Sequence, residues 1–160
     1  MSHTLVIYRA SGRADAELGE LARAVRERGG RLTVLALAVE EPVKRGCCDT
    51  RSVLWNRITR EIAQKDLARA RMVVEDAAEA EAVDNGAEVE VGVRVDGGRD
   101  LLDVEFGVLR HTGRRVSEAV EREALRRGAD QVVLADPGSC GLSRREQRRL
   151  RASALATSPS

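Results

Sequence analysis

Aromatic side chains are almost absent from this 160-residue chain: Tyr8, Trp55 and Phe106 are the full set. A core without them must be packed from Val, Leu, Ile and Ala. The shortage also argues against a reader of single-stranded nucleic acid, which needs stacking platforms. Cysteine is nearly as scarce. Cys47, Cys48 and Cys140 are too few for a disulfide scaffold, and two adjacent cysteines are badly placed to bridge each other, so a reducing compartment is expected. With His3 and His111 they lack zinc-ligand spacing, and no metal site is expected. No apolar run approaches the roughly 20 residues that span a bilayer. The first residues carry no basic leader, so a cytoplasmic protein is expected. There is no Walker loop, no G-x-S-x-G elbow and no H-E-x-x-H motif, and the reading is not an enzyme.

Charge of one sign is also missing overall, at 27 basic against 26 acidic residues. The chain as a whole is therefore no polyanion binder. The charges are unevenly spread, however. Arg144, Arg145, Arg148, Arg149 and Arg151 crowd the C-terminal end, while Glu75, Asp76, Glu79, Glu81 and Asp84 crowd the middle. The arginine run reads either as a surface for RNA or an acidic partner or as a solvated helix face, and the lack of aromatics favours the second.

What is present is an alternation of strand-like and helix-like segments. Residues 4–8 and 32–39 are continuous apolar runs, the pattern of strands buried on both faces. Between them Ser11 can cap a helix with Leu18, Leu21, Ala22 and Val25 on one face, ended by Gly29-Gly30. A long helix is expected from about Leu54 to Asp84, with Trp55, Ile58 and Ile62 opening its core stripe. That stripe drifts toward Leu67, Ala70, Val74 and Ala77, which suggests a bend or a break. A third strand at 88–95 alternates Val with polar residues, as at a sheet edge. A helix carrying Val116, Ala119, Val120 and Ala124 and stopped by Gly128 precedes a fourth strand at 131–134. The expected fold is a three-layer α/β domain with a doubly wound, Rossmann-like parallel sheet over residues 1–155, and a disordered tail at 156–160. The insert at 101–110 reads either as an extra strand, in a hairpin beside the third or in the place of a missing fifth, or as a surface loop.

Open α/β sheets bind ligands beyond the C-terminal ends of their strands. Here those ends are Arg9-Ala10-Ser11, Ala38-Val39-Glu40 and Ala135 to Gly141. The last leads into a helix opened by Ser143, with Glu146 three residues on as a capping box. Gly138 and Gly141 let backbone N–H groups approach an anion in front of a helix N-terminus. An ordinary strand-to-helix turn carries two glycines equally well. Before the third helix, His111-Thr112-Gly113 can touch a ligand, or Thr112 can simply cap that helix.

The order of segments, the run from Arg127 to Leu134 and the Gly138-x-x-Gly141 turn resemble the universal stress protein (UspA-like) family. The resemblance covers about residues 4–145. It implies a sheet of order 3-2-1-4 with a fifth strand missing, and dimers formed through the last strand. One subclass of the family binds ATP through an acid after the first strand and a G-x-x-G-x9-G-[ST] loop. In this chain Arg9 stands where the acid is expected, and Arg151 stands where the third glycine is expected, with Ala152-Ser153 one position late. The resemblance therefore implies a regulatory, stress-response module acting through protein contacts, with a degraded nucleotide site. The candidate site residues are Arg9, Ala10, Ser11, Ala38, Val39, Ala135, Gly138, Gly141 and Ser153. No cofactor is expected, with ATP or another adenine nucleotide as the alternative. The expected partner is a second copy or another protein, with no membrane and no nucleic acid. A small enzyme of the nucleotide-binding α/β group is the third reading.

Overall fold

A computed structural model describes residues 2–44, 49–84 and 102–156, without the side chains of 81–84 and 153–156. Strand β1 (His3–Tyr8) is buried at every position, because helices cover both its faces. Helix α1 (Gly12–Glu27) begins at Ser11, whose hydroxyl accepts the Ala14 N–H at 3.0 Å, and turns out of helical geometry at Gly29 with φ +64°. Strand β2 (Arg31–Glu40) returns parallel to β1, with His3 opposite Arg31 and Tyr8 opposite Ala36. Helix α2 (Thr50–Asp84) follows, then β3 (Asp103–Thr112), α3 (Val116–Arg127), β4 (Gln131–Leu134) and α4 (Arg144–Ala156).

Four parallel strands lie in the order β3-β2-β1-β4, the order expected. On one side of the sheet Val6, Tyr8 and Val34 pack with Ala14, Leu18 and Ala22 of α1 and with Ala70 and Val74 of α2. On the other side Leu5, Ile7 and Leu35 pack with Val116, Val120 and Ala124 of α3 and with Leu150 of α4. Further along α2, Ala63 and Leu67 lie on Ala36 and Ala38 of β2. Small residues on both surfaces let this helix sit close to the sheet. No described helix is long and apolar enough to cross a membrane.

The third place in the sheet belongs to 103–112, paired in parallel with β2 from Arg31 opposite Asp103 to Glu40 opposite Thr112. The insert is a strand, as offered, and among the described residues it stands at a sheet edge beside β2, not in the place of the missing fifth strand. The strand expected at 88–95 lies outside the described residues, as do nearly all of the expected tail and the Cys47-Cys48 pair. Charge guards this edge: Arg31 pairs with Asp103 at 3.3 Å and Glu105 at 3.2 Å, and Arg127 joins Glu105 to Glu123.

Helix α2 is one unbroken helix of 35 residues, so the drift of its stripe marks no break. Trp55 is not core either; it is half-exposed, like Leu54, Ile58 and Ile62. The physical reason is a polar buried face at this end of the helix. Ser52 and Asn56 are the buried positions there, and both are tied to Glu41. The Asn56 side chain accepts the Glu41 N–H at 2.7 Å and donates to the Glu41 carbonyl at 2.9 Å, while the Ser52 hydroxyl reaches the Glu41 carboxylate at 3.2 Å. Inward-facing amide and hydroxyl groups turn the apolar stripe outward.

Candidate ligand site at the strand ends

The turn after β4 is held together by its own residues. Asp136 adopts φ +49°, a left-handed conformation that Asp and Asn tolerate better than most residues. Its backbone N–H donates to the Glu17 carboxylate at 2.8 Å, and its carbonyl accepts the Ser139 N–H at 2.9 Å and the Ser139 hydroxyl at 3.1 Å. The Asp136 carboxylate accepts the Ser11 hydroxyl at 2.8 Å. That hydroxyl, together with the Ser139 hydroxyl and the Gly138 N–H, holds the Asp136 carboxyl below the usual carboxylate range. The Pro137 carbonyl accepts the Cys140 thiol at 3.1 Å and the Gln147 side-chain amide at 2.7 Å.

Helix α4 closes the other end of the turn as its sequence predicts. The Ser143 N–H donates to the Glu146 carboxylate at 3.0 Å, and the Glu146 N–H donates to the Ser143 hydroxyl oxygen at 3.3 Å. Of the donors an anion would meet here, the Ser11 hydroxyl and the Gly138 N–H thus already face Asp136, and the Ser143 N–H faces Glu146.

Beside this turn lies a cavity of about 280 Å³, at the small end of ligand sites, which run roughly from 300 to 1,000 Å³. Trp55, Thr59, Ile62 and Asp66 form one wall at helical spacing along α2. Leu37 and Val39 of β2 and Val116 of α3 supply further apolar surface. Tyr8, Arg9, Cys140 and Gly141 complete the lining. Arg9 reaches over Gly141, where its Nη1 would lie 3.5 Å from a Cβ on that residue. Asp66 accepts the exposed Ala10 N–H at 3.3 Å, and burial raises its carboxyl above the usual range against the pull of that N–H and of Arg9. Tyr8 donates its hydroxyl to Asp15, which Arg69 also holds at 3.0 Å, and burial pushes the phenol up. Burial likewise raises the Cys140 thiol.

Of the residues expected at the site, Arg9, Val39 and Gly141 line this cavity. Ala38 and Ala135 are buried in the core below it. Ala10 contributes its N–H to Asp66, and Ser11 is engaged by Ala14 and Asp136. Gly138 sits in the turn away from the cavity, and Ser153 belongs to α4 through its backbone. Thr112 ends β3 and caps nothing, since the residue capping α3 is Arg115. Among the C-terminal arginines, Arg149 pairs with Glu118 and Glu121 of α3, and all five are exposed. Sequence reasoning missed Asp66 and Thr59, placed Ile62 in a core stripe, and gave the Asp136 side chain no part in the 135–141 turn. Asp66 supplies from α2 a carboxylate beside the end of β1, where Arg9 stands in place of the expected acid. Among the described residues no three of His, Cys, Asp or Glu come together as a metal-binding group.

No family model matches the chain, and no curated protein matches it. Solved structures do. A member of the universal stress protein family from Burkholderia pseudomallei superposes with a TM-score of 0.57, covering 96% of this chain and 89% of that one at 18% identity. The fold is the universal stress protein fold. A universal stress protein in complex with cAMP superposes with a TM-score of 0.53, covering 99% of this chain and 92% of that one at 13% identity. The universal stress protein UspA of Lactobacillus plantarum gives 0.50, covering 97% and 90% at 12% identity. At these identities the likeness is one of fold, and function has to be argued from the site.

Proposed function

We propose that this chain is a regulatory module of the universal stress protein kind that works through protein contacts, with a nucleotide site whose phosphate corner is out of use. The observation that carries this reading is the Asp136 carboxylate, which accepts the Ser11 hydroxyl from the start of α1 at 2.8 Å and faces the Gly138 N–H. A triphosphate placed there would meet the negative charge of Asp136 where the Ser11 hydroxyl and the Gly138 N–H would otherwise face it. Arg151, exposed on α4 where the family pattern has glycine, adds to the case. The outward stripe of Leu54, Trp55, Ile58 and Ile62 supports a contact surface, for a second copy or for another protein. The module is cytoplasmic in this reading.

The cavity favours a second reading, an adenine-nucleotide sensor with an altered loop, because one solved structure of this fold holds cAMP. Thermal melting with millimolar ATP and Mg²⁺, AMP or cAMP separates the two. A ligand at about 100 times its Kd stabilises a native protein by about 2.7 kcal/mol, which raises the melting temperature of a chain this size by about 5–10 °C. The expected result is no rise with any of the three. A rise of that size overturns the reading in favour of the sensor.

A further inference from the structure

The turn and the cavity next to it are chemically unlike, and the contrast has a consequence for what the cavity admits. Asp136 fills the turn with charge: its carboxylate takes the Ser11 hydroxyl at 2.8 Å and faces the Gly138 N–H. These are the kinds of donor that a phosphate oxygen would otherwise engage. The cavity, by contrast, offers a half-exposed indole face at Trp55, aliphatic walls at Ile62 and Val39, and one carboxylate, Asp66, whose acceptor capacity is only partly used by Ala10. Arg9 covers Gly141 at the boundary between the two.

We propose that the Asp136 carboxylate is a built-in occupant of the phosphate turn, so that the adjoining cavity selects a planar, phosphate-free ligand of nucleoside size carrying hydrogen-bond donors over its phosphorylated counterpart. Such a ligand stacks on Trp55 and donates to Asp66, and it leaves the Asp136–Ser11 contact intact. A 5′-phosphate on the same ligand is driven toward Asp136 and repelled. This inference rests on the reading of the turn given above, and it adds the ligand class and the residue that sets it.

Trp55 is the single tryptophan, so its fluorescence reports on the cavity directly. Adenosine, AMP and inorganic phosphate are the probes, titrated into the whole chain and into the variants Asp136→Asn, Asp136→Gly and Asp66→Asn. Asn and Gly both accept the positive φ at this position, so the turn keeps its shape while losing its charge, and two variants guard against failure of either to fold.

Adenosine is expected to quench Trp55 with an affinity at least about tenfold above that of AMP, as a repelled charge close by would give. Asp136→Asn and Asp136→Gly are expected to remove that preference by strengthening AMP while leaving adenosine unchanged, and Asp66→Asn to weaken adenosine. Phosphate alone should bind only to the Asp136 variants. If AMP matches adenosine in the unaltered chain, both this inference and the closed-corner reading are overturned. If no probe quenches Trp55, the inference falls and the closed corner stands. If AMP remains the weaker ligand in both Asp136 variants, Asp136 is not the discriminator and the inference is likewise wrong.

Discussion

Leu18→Ala is expected to lower stability by about 2–5 kcal/mol, the range for removing a fully buried leucine side chain. Leu18 is 0% exposed at the centre of α1, where it is packed in the cluster that joins Val6 and Val34 of the sheet to Ala70 and Val74 of α2. The surroundings cannot relax far into the gap. Alanines already line much of this interface, and the strands behind it are fixed by their ladders. The upper part of the range is therefore expected. Urea unfolding checks it: the midpoint should fall while the slope stays the same. A loss below about 1 kcal/mol would mean that α1 does not pack on the sheet in this way.

The second large effect is electrostatic. Glu40, at the end of β2, is 8% exposed and is held by two guanidinium groups, Arg60 from α2 and Arg110 from β3. Their hydrogen bonds, Arg60 foremost, bring its carboxyl down from an ordinary 4.5 to about 2. Glu40→Ala removes the group that joins three elements, at an expected cost of about 2–3 kcal/mol. The cost stays below that of breaking a fully buried pair, because water can reach both arginines once the carboxylate is gone.

The sign of the pH effect follows from the depressed pKa. The stabilisation from Glu40 is complete above the unfolded-state value near 4.5 and is lost as the pH falls from there toward 2. Glu123, brought to about 2 first by Arg126 and then by Arg127, behaves in the same way. Stability measured by urea at a series of pH values should thus be level from neutrality to about pH 5 and decline below 4.5. In Glu40→Gln that decline should be shallower. An unchanged acid limb in this variant would show that the clamp carries no pH-dependent stability.

Local pattern was enough to identify the layers of this fold, because burial on two faces leaves a continuous apolar run and helices leave a 3.6-residue stripe. Strands β1, β2 and β4, the Ser11 cap, the Ser143–Glu146 capping box and the Gly128 stop were all legible in this way. The third strand shows the limit. Residues 88–95 and 103–110 both alternate, and which of two such segments lies against β2 is decided by pairing over more than 70 residues. Trp55 shows the same limit on a helix. Its spacing from Ile58 and Ile62 fits a core stripe, but the Ser52 and Asn56 contacts with Glu41 decide which face turns inward.

The site was legible to the same degree. Gly138 and Gly141 marked the turn, and Arg9 marked the missing acid. That the Asp136 side chain would fold back onto Ser11, 125 residues away in sequence, has no local signature. Asp66 is similarly invisible, since a carboxylate on a long charged helix reads as solvated until the end of β1 is placed beside it.

The central claim is that the phosphate turn is closed by its own residues. A crystal structure of the protein grown with ATP and Mg²⁺ tests it most directly. The expected result is a turn free of phosphate density, with Asp136 on the Ser11 hydroxyl and Glu146 on the Ser143 N–H. A triphosphate seated on the Gly138 and Gly141 N–H groups, with Asp136 swung away from Ser11, would contradict it.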